Sequence, residues 1–303
     1  MLPIQLHDGM RFFLDFEPYT TISEALDKTM KFLNMQEKKD FYGFYFVQKQ
    51  KNGYKESLLT DDSKYVFDEL TRLSMDNQNE GVLYLRIRMY YRFSEKDLDY
   101  VNLLYGQIFY EIFMGRILVD EKLMIKLSAI SLYVDYGEFE GKNDFKINLS
   151  KFLSEKMLVV FNSFHCIESI MQTYQKLKFK YKIHAKINYI ELIKDNVLFF
   201  SHQFNVKYTE LIINENGKSQ KGESMDLVLA VKPLALLFLN QKREVLFKYE
   251  FSRLLKWGCH NDNLLVINSN DEKTHLLKGN ECREIVHLIG KYIDFTIKLI
   301  KNK

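Results

Sequence analysis

The chain has 303 residues, 47% of them hydrophobic and 27% charged, which is enough for about two or three folded domains. Its formal net charge of +3 is too small for a dedicated nucleic-acid binder, and no run of 18 uncharged apolar residues is present to span a membrane. The three cysteines are scattered, which indicates free thiols in a reducing compartment. The N-terminus lacks the basic and apolar regions of a signal peptide, so we expect a cytoplasmic protein.

Residues 1–91 carry the pattern of a small mixed sheet. An apolar run, the turn His7-Asp8-Gly9 and a second, alternating run predict a hairpin. A capped helix, an aromatic-rich strand (FYGFYFVQ), a short helical piece and a last strand (EGVLYLRIRMYY) follow. The order β-β-α-β-β-(short helix)-β predicts a ubiquitin-like β-grasp.

Residues 92–195 change to the period of amphipathic helices. One helix is predicted in SEKDLDYVNLLYGQIFYEIFMG and ends at Gly115, and a second ends at Gly137. LSKFLSEKMLVVF predicts a short third helix, and CIESIMQTYQKLKFKYKIHAKINYIELIKD predicts one or two more. This part of the chain is predicted to form a helical bundle.

Residues 196–303 alternate again over six or seven short runs, which predicts a β-sandwich of the PH or PTB type. FKYEFSRLLKWGC reads as strand and carries the single Trp, and it is divided between two of these runs, REVLFKYEF and SRLLKWGC. A terminal helix is predicted from Asn280, its N-cap, to Asn302, with two neighbouring apolar stripes and lysines in its last turn. Residues 214–224 lack apolar side chains and predict an exposed loop. The fold class is therefore a multi-lobed α+β protein.

The middle of the chain resembles the helical lobe of FERM domains. The resemblance lies in DYVNLLYGQIFYEIFMGRILVDEKLMIKLSAISLYVDYGEF, which has an L-x-Y-x-Q helix, a Gly-Arg turn, an Ala-containing helix and an acidic-Tyr-Gly-acidic ending. The lobe order also matches, over essentially all 303 residues. The resemblance implies a ubiquitin-like lobe in 1–91, an acyl-CoA-binding-protein-like helical lobe in 92–195 and a PH/PTB-like lobe in 196–303.

Within the FERM family, the C-terminal third looks most like talin heads. LLKWGC, LLVIN and REIVHLIGKYIDFTIKLIKNK have a similar basic-Trp pair and a similar terminal helix that ends in lysines. The FERM tails of unconventional myosins share the Trp strand and the Tyr-Ile helix, so they remain the alternative.

The talin resemblance implies a peptide site in the third lobe. Lys256 and Trp257 on the strand, and Ile289 and Ile293 on the helix, match positions that contact an integrin-type tail. The peptide main chain would pair along the strand from Arg253 through Leu255 to Trp257, with side chains in pockets against the helix. Core packing remains open for three of these residues: Trp257, Ile289 and Ile293.

A run of lysines in KLKFKYK suggests contact with anionic phospholipid. If the segment is helical, its lysines scatter around the helix, whereas in an extended segment all lie on one side. The predicted lipid-binding lysines are these four, and two from the predicted loop: Lys176, Lys178, Lys180, Lys182, Lys218 and Lys221.

No catalytic, cofactor or metal-binding arrangement is predicted. His165-Cys166 and Cys259-His260 are adjacent pairs, without the spacing of chelating ligands. The run Gly217-Lys218-Ser219 lacks the other features of a phosphate loop. We therefore expect a non-enzymatic adaptor at the inner face of the plasma membrane, linking an integrin-like receptor tail and lipid to actin-associated proteins, with no nucleic-acid partner. The alternatives are a myosin tail that binds cargo or its own motor, a module serving a kinase or phosphatase in the same chain, and a structural module with a closed groove.

Overall fold

The structure, a computed structural model, describes residues 1–50, 53–77, 81–91, 94, 96–141, 152–153, 163–213, 219–261, 264–270 and 273–301. Its strands are β1 (Leu2–Gln5), β2 (Arg11–Leu14), β3 (Tyr42–Gln50), β4 (Gly53–Leu58), β5 (Gly81–Ile87), β6 (His202–Ile213), β7 (Ser219–Val231), β8 (Ala235–Leu239), β9 (Val245–Glu250), β10 (Leu254–His260), β11 (Leu264–Ser269) and β12 (Thr274–Lys278). Its α-helices are α1 (Ile22–Phe32), α2 (Val66–Asn77), α3 (Leu98–Phe113), α4 (Glu121–Tyr136), α5 (Ser163–Tyr174), α6 (Lys182–Ile193) and α7 (Cys282–Lys301). Short 3-10 helices span Gln36–Phe41 and Phe251–Arg253.

The first sheet has the strand order β2-β1-β5-β3-β4. Strand β1 pairs antiparallel with β2 and parallel with β5, as a β-grasp requires. Helix α1 begins with a capping box, in which the Thr21 hydroxyl accepts the Glu24 N–H at 3.2 Å and the Glu24 carboxylate accepts the Thr21 N–H at 2.8 Å. The predicted cap is therefore present, at Thr21.

The helices that follow pack on one another. Helix α4 contacts both α5 and α6, and α3 contacts α6. The Asp120 carboxylate caps α4 by accepting the Leu123 N–H at 2.7 Å, and Gly137 ends the helix at φ +85°. The predicted helix over LSKFLSEKMLVVF lies outside the described residues, apart from 152–153.

The second sheet has the strand order β10-β11-β12-β6-β7-β8-β9, and helix α7 packs against β7, β10 and β11. The 3-10 turn Phe251–Arg253 separates β9 from β10, at the boundary between the predicted runs REVLFKYEF and SRLLKWGC. The predicted loop at 214–224 is wrong in part, because β7 already begins at Ser219. Helix α7 begins at Cys282, two residues after the predicted cap.

Two compact units divide the described chain. One comprises Met1–Asp15, Val82–Ile87 and Arg92–Phe199, and the other comprises Phe16–Gly81, Arg88–Tyr91 and Phe200–Lys303. The second unit contains the predicted peptide-binding residues, and the first contains the lysine run. The predicted lobe boundaries at 91/92 and 195/196 remain predictions.

The overall α+β class is confirmed by these elements. Among the residues that the structure describes, no helix combines the length and the apolar composition needed to cross a bilayer.

Candidate functional site

Helix α7 changes its environment along its length. Five side chains of its N-terminal part have no exposed surface and lie in the core of the second sheet: Cys282, Ile285, Leu288, Ile289 and Tyr292. The Tyr292 hydroxyl also accepts the Tyr90 backbone N–H at 3.3 Å. In the C-terminal part, Ile293 and Thr296 are half-buried and Ile297 is 43% exposed. The apolar stripe therefore continues past the part of the helix that the core covers.

A groove of about 440 Å³ lies beside this C-terminal part. Its walls come from α7, from the end of β9 and from the segments next to it: Leu234, Lys248, Glu250, Phe251, Ser252, Ile293, Thr296 and Ile297. The Phe251 N–H donates to the Leu234 carbonyl at 3.0 Å and fixes one wall. The Thr296 hydroxyl donates to the Tyr292 carbonyl at 2.8 Å, so it is satisfied within the helix. The groove is therefore largely apolar.

Charged side chains stand at one side of the groove. The Lys248 Nζ lies 3.2 Å from the Glu250 carboxylate, and both side chains are more than half exposed. Burial, and then the charge of Lys248, lower the pKa of Lys232 at the turn between β7 and β8. A surface pair of this kind contributes little to folding stability, so it can exchange partners readily.

Strand β10 is the last strand at its end of the second sheet, as far as the described strands go. Its pairing with β11 shifts between Leu254 and Lys256, which is a β-bulge. Because a bulge re-aims the side chains next to it, Leu255 (64% exposed) and Lys256 both face solvent. Trp257 is half-buried, stands opposite Ile267 and packs against the core.

The structure places the predicted peptide residues in three settings. Arg253, Leu255 and Lys256 are exposed at the β10 edge or in the turn before it, and Trp257 is half-buried. Ile293 lines the groove. Ile289 has no exposed surface, so the core alternative fits its position in this structure.

The sequence analysis missed most of the groove. Thr296 and Ile297 follow Ile293 by three and four residues, so helical spacing could have identified them. Phe251 is the last residue of the predicted run REVLFKYEF, and no pattern in that run indicates that it lines a groove. Leu234 comes to the groove only through the β7–β8 turn.

The lysine run connects helices α5 and α6 in the structure. Residues 177–179 lie outside helices α5 and α6, with Leu177 and Phe179 half-buried and Lys176, Lys178 and Lys180 exposed. The three lysines therefore lie on the solvent side of the run, and its first part is a turn in which the Lys176 and Leu177 N–H groups donate to the Thr173 and Tyr174 carbonyls at 3.1 and 3.0 Å. Lys182 is exposed too, at the start of α6.

The other two predicted lipid-binding residues have different settings. Lys218 lies outside the described residues. The backbone of Lys221 belongs to β7 and pairs with Leu211, so it is not in a loop. Within the described part of the chain, no group of three or more His, Cys, Asp or Glu residues could hold a metal ion.

Comparison with known proteins identifies the fold. The family model of the FERM central domain matches residues 96–204. The chain is similar to the Dictyostelium discoideum myosin VII MyTH4-FERM MF2 domain, with a TM-score of 0.74 and 18% identity over 96% of this chain and 57% of that chain. It is also similar to the complex of the FERM and C-terminal domains of Drosophila Merlin, with a TM-score of 0.73 and 14% identity over 99% of this chain and 97% of that chain.

A third similar structure is the human myosin 7b C-terminal MyTH4-FERM domain in complex with the harmonin-a PDZ3 domain. Its TM-score is 0.70, with 15% identity over 97% of this chain and 60% of that chain. The chain therefore spans less than two thirds of these myosin chains but nearly all of the Merlin chain. None of the curated protein sequences matches it.

The chain has the fold of a FERM domain, and residues 96–204 match that family's central domain. The prediction of a FERM domain built from a β-grasp, a helical bundle and a PTB-like lobe is confirmed. These comparisons do not support the talin type specifically, so that assignment stays a prediction.

Proposed function

We propose that this FERM domain is an adaptor that binds an extended peptide at its C-terminal sheet and so links a membrane protein to the actin cytoskeleton. The observation that carries the proposal is an end strand, β10, beside a helix whose apolar stripe is left partly uncovered. The peptide would come from the cytoplasmic tail of an integrin-like receptor at the inner face of the plasma membrane. Actin-associated proteins are the proposed further partners.

Main-chain pairing along β10 would supply the part of the affinity that does not depend on the peptide's sequence. An end strand offers unpaired N–H and C=O groups, which an added peptide strand can satisfy. The bulge at Leu255 turns two side chains towards solvent, so Leu255 and Lys256 would contact the peptide's own side chains. Trp257 would then become more buried when the peptide arrives.

The groove at the end of α7 would supply an anchor pocket. Leu234 and Ile297 are 64% and 43% exposed, and both are large apolar side chains that a ligand would remove from water. Phe251 and Ile293 already form half-buried walls. An aromatic or aliphatic peptide side chain fits this lining, with Lys248 and Glu250 at the polar side.

Titration of a fluorescent integrin β-subunit tail peptide against wild type and Ile297→Asp tests this function. A charge in the apolar groove should lower peptide affinity more than tenfold, as expected for an anchor position. Ile167→Asp is the matched control, because Ile167 is 38% exposed on helix α5 and is not one of the residues that line the groove. Equal weakening by both variants, or none by Ile297→Asp, would count against the groove.

The alternative function is that of a myosin tail that binds cargo or its own motor. It is favoured by the likeness to myosin VII MyTH4-FERM domains, one of which was solved with a harmonin PDZ3 domain. Merlin offers a related precedent, since its FERM domain was solved in complex with its C-terminal domain. The reading frame of the parent gene decides between these proposals, because a motor and a MyTH4 domain encoded upstream would favour the myosin alternative.

A second proposed function is contact with anionic phospholipid through the exposed lysine run. Each lysine near an anionic surface contributes about 1 kcal/mol of binding. The double variant Lys178→Glu/Lys180→Glu should therefore reduce co-sedimentation with phosphoinositide-containing vesicles at low salt. Lys207→Glu on strand β6 is the control, because Lys207 is an exposed lysine outside the run. Unchanged binding by the double variant would argue against this surface, since screening is weak at low salt.

A further inference from the structure

An exposed aromatic ring interrupts the lysine run. Tyr181 is 58% exposed, and it lies between Lys180 and Lys182, both of which are also exposed. The Lys180 ammonium lies 5.3 Å from the centre of the Tyr181 ring. An amphipathic ring between cationic side chains is typical of positions at the boundary between water and lipid headgroups.

The segment is held in place by the helix bundle. The Tyr133 hydroxyl donates to the Phe179 carbonyl at 2.8 Å and accepts the Phe179 N–H at 3.3 Å, and the two rings pack edge to face at 5.1 Å. The Lys182 ammonium donates to the Asp135 carbonyl at 3.1 Å. Tyr181 is therefore presented at a fixed position and needs no large ordering before it contacts a surface.

Three of the lysines near Tyr181 have no ion-pair partner among the described residues. Lys176, Lys178 and Lys180 form no ion pair with any residue that the structure describes. The first turn of α6, which begins at Lys182, contains no acidic residue, so the positive end of the helix dipole adds to the same potential. This charge is complementary to an anionic bilayer surface.

We infer that Tyr181 is a membrane anchor. Its ring inserts between the headgroups of anionic phospholipids, while the flanking lysine ammonium groups contact the negative charges of those headgroups. The inference rests on the proposed lipid-binding function and adds to it an apolar contribution, which a purely electrostatic surface lacks. The surface thus combines two contributions to binding, an aromatic ring and a lysine run on a fixed backbone. A bilayer provides partners for both, whereas a soluble anion provides one for the charges alone.

The test compares binding to phosphatidylserine–phosphatidylcholine vesicles and to phosphatidylcholine vesicles. Tyr181→Ala should weaken binding to the anionic vesicles on the order of fivefold, and Tyr181→Phe should keep most of the wild-type affinity, because the ring is retained. Tyr19→Ala is the matched control, because Tyr19 is 67% exposed and stands between Pro18 and Thr20 rather than between lysines. Removal of one lysine, as in Lys178→Ala, should weaken binding about fivefold.

A spectroscopic arm separates insertion from surface contact. The chain has one Trp, so Tyr181→Trp in a Trp257→Phe background gives a single reporter. Its emission should shift to shorter wavelength with anionic vesicles and should not shift with soluble phosphoserine. Because this variant keeps an aromatic ring at position 181, it still tests insertion if Tyr181→Ala disturbs the start of α6.

Three outcomes are distinguishable. If Tyr181→Ala binds like wild type while Lys178→Ala binds less, the anchor is refuted and the electrostatic lipid function stands. If wild type binds neither kind of vesicle, both proposals fail. A shift of the reporter with soluble phosphoserine alone would also overturn the inference, because it would indicate a site for small anions rather than for a bilayer.

Discussion

The two halves of helix α7 share one apolar stripe but differ in what covers it. In the N-terminal half, the side chains from Cys282 to Tyr292 that face the sheet have no exposed surface. In the C-terminal half, the same spacing leads to Ile293 and Ile297, which line an open groove. The difference shows that helical periodicity predicts which face of a helix is apolar, whereas the neighbouring strands decide whether that face is core or binding site.

The largest expected effect on stability comes from the buried isoleucine of the pair Ile289 and Ile297. Ile289→Ala should lower the free energy of unfolding by about 2–5 kcal/mol, because a fully buried side chain leaves a cavity. Urea unfolding monitored by circular dichroism measures this loss. A loss near that of a surface substitution would show that the N-terminal half is less tightly packed than its burial indicates.

The buried half also contains a carboxylate whose titration should affect stability. Burial, and then the charge of Glu281, raise the pKa of Glu284 to about 8, against the lowering effects of the Leu58 N–H bond and of Arg88. Since the folded pKa lies above the ordinary value of 4.5, the free energy of unfolding should fall as pH rises from about 4.5 through about 8.

His287, one turn away, has the opposite dependence. Burial, and then the charges of Arg88 and Lys291, lower its pKa from 6.5 to about 4, so its contribution is lost as pH falls from about 6.5 to about 4. We expect Glu284→Gln to reduce the loss of stability with rising pH and to leave the loss with falling pH unchanged, when urea midpoints are measured from pH 4 to pH 9. Glu223→Gln, at an exposed position on β7, is the control. If Glu284→Gln loses stability with rising pH as wild type does, the raised pKa of Glu284 is not the cause of that loss.

Trp257 should show an intermediate effect on stability and a large effect on binding. Because it is half-buried, Trp257→Ala should cost less than the about 3–5 kcal/mol typical of a buried Trp. The same variant should lower affinity for the tail peptide at least tenfold. Unfolding of the sheet by this substitution, or wild-type affinity, would assign Trp257 to the core instead.

The smallest stability effect is expected in the exposed half of α7. Ile297→Ala should change the free energy of unfolding by no more than about 0.5 kcal/mol, because the side chain is already 43% exposed. The difference between the losses for Ile297→Ala and Ile289→Ala in the same urea experiment measures how the two halves of α7 differ in packing. Similar losses for both variants would remove the distinction on which the groove proposal depends.

Much of the local structure could be predicted because its causes are local. The lengths of α3 and α4, the glycine at the end of α4 and the order of strands and helices follow from periodicity, caps and turn residues. The helical-lobe motif was specific enough to identify a FERM domain, which the match over residues 96–204 bears out. The break between β9 and β10 lies where the predicted runs REVLFKYEF and SRLLKWGC meet, although Phe251 to Arg253 carry no Gly or Pro to mark a turn.

By itself, the sequence determined the apolar faces, the helix ends, the lobe order and the alternation of lysines with Leu177 and Phe179. Only the tertiary structure decided how this run is held, because the Tyr133 hydroxyl binds the Phe179 backbone from another helix. Tertiary structure also decided that Ile289 is core while Ile293 lines a groove with Leu234 and Phe251. Those neighbours are distant along the chain, and a contact between distant segments depends on how the sheet packs, which no local pattern contains.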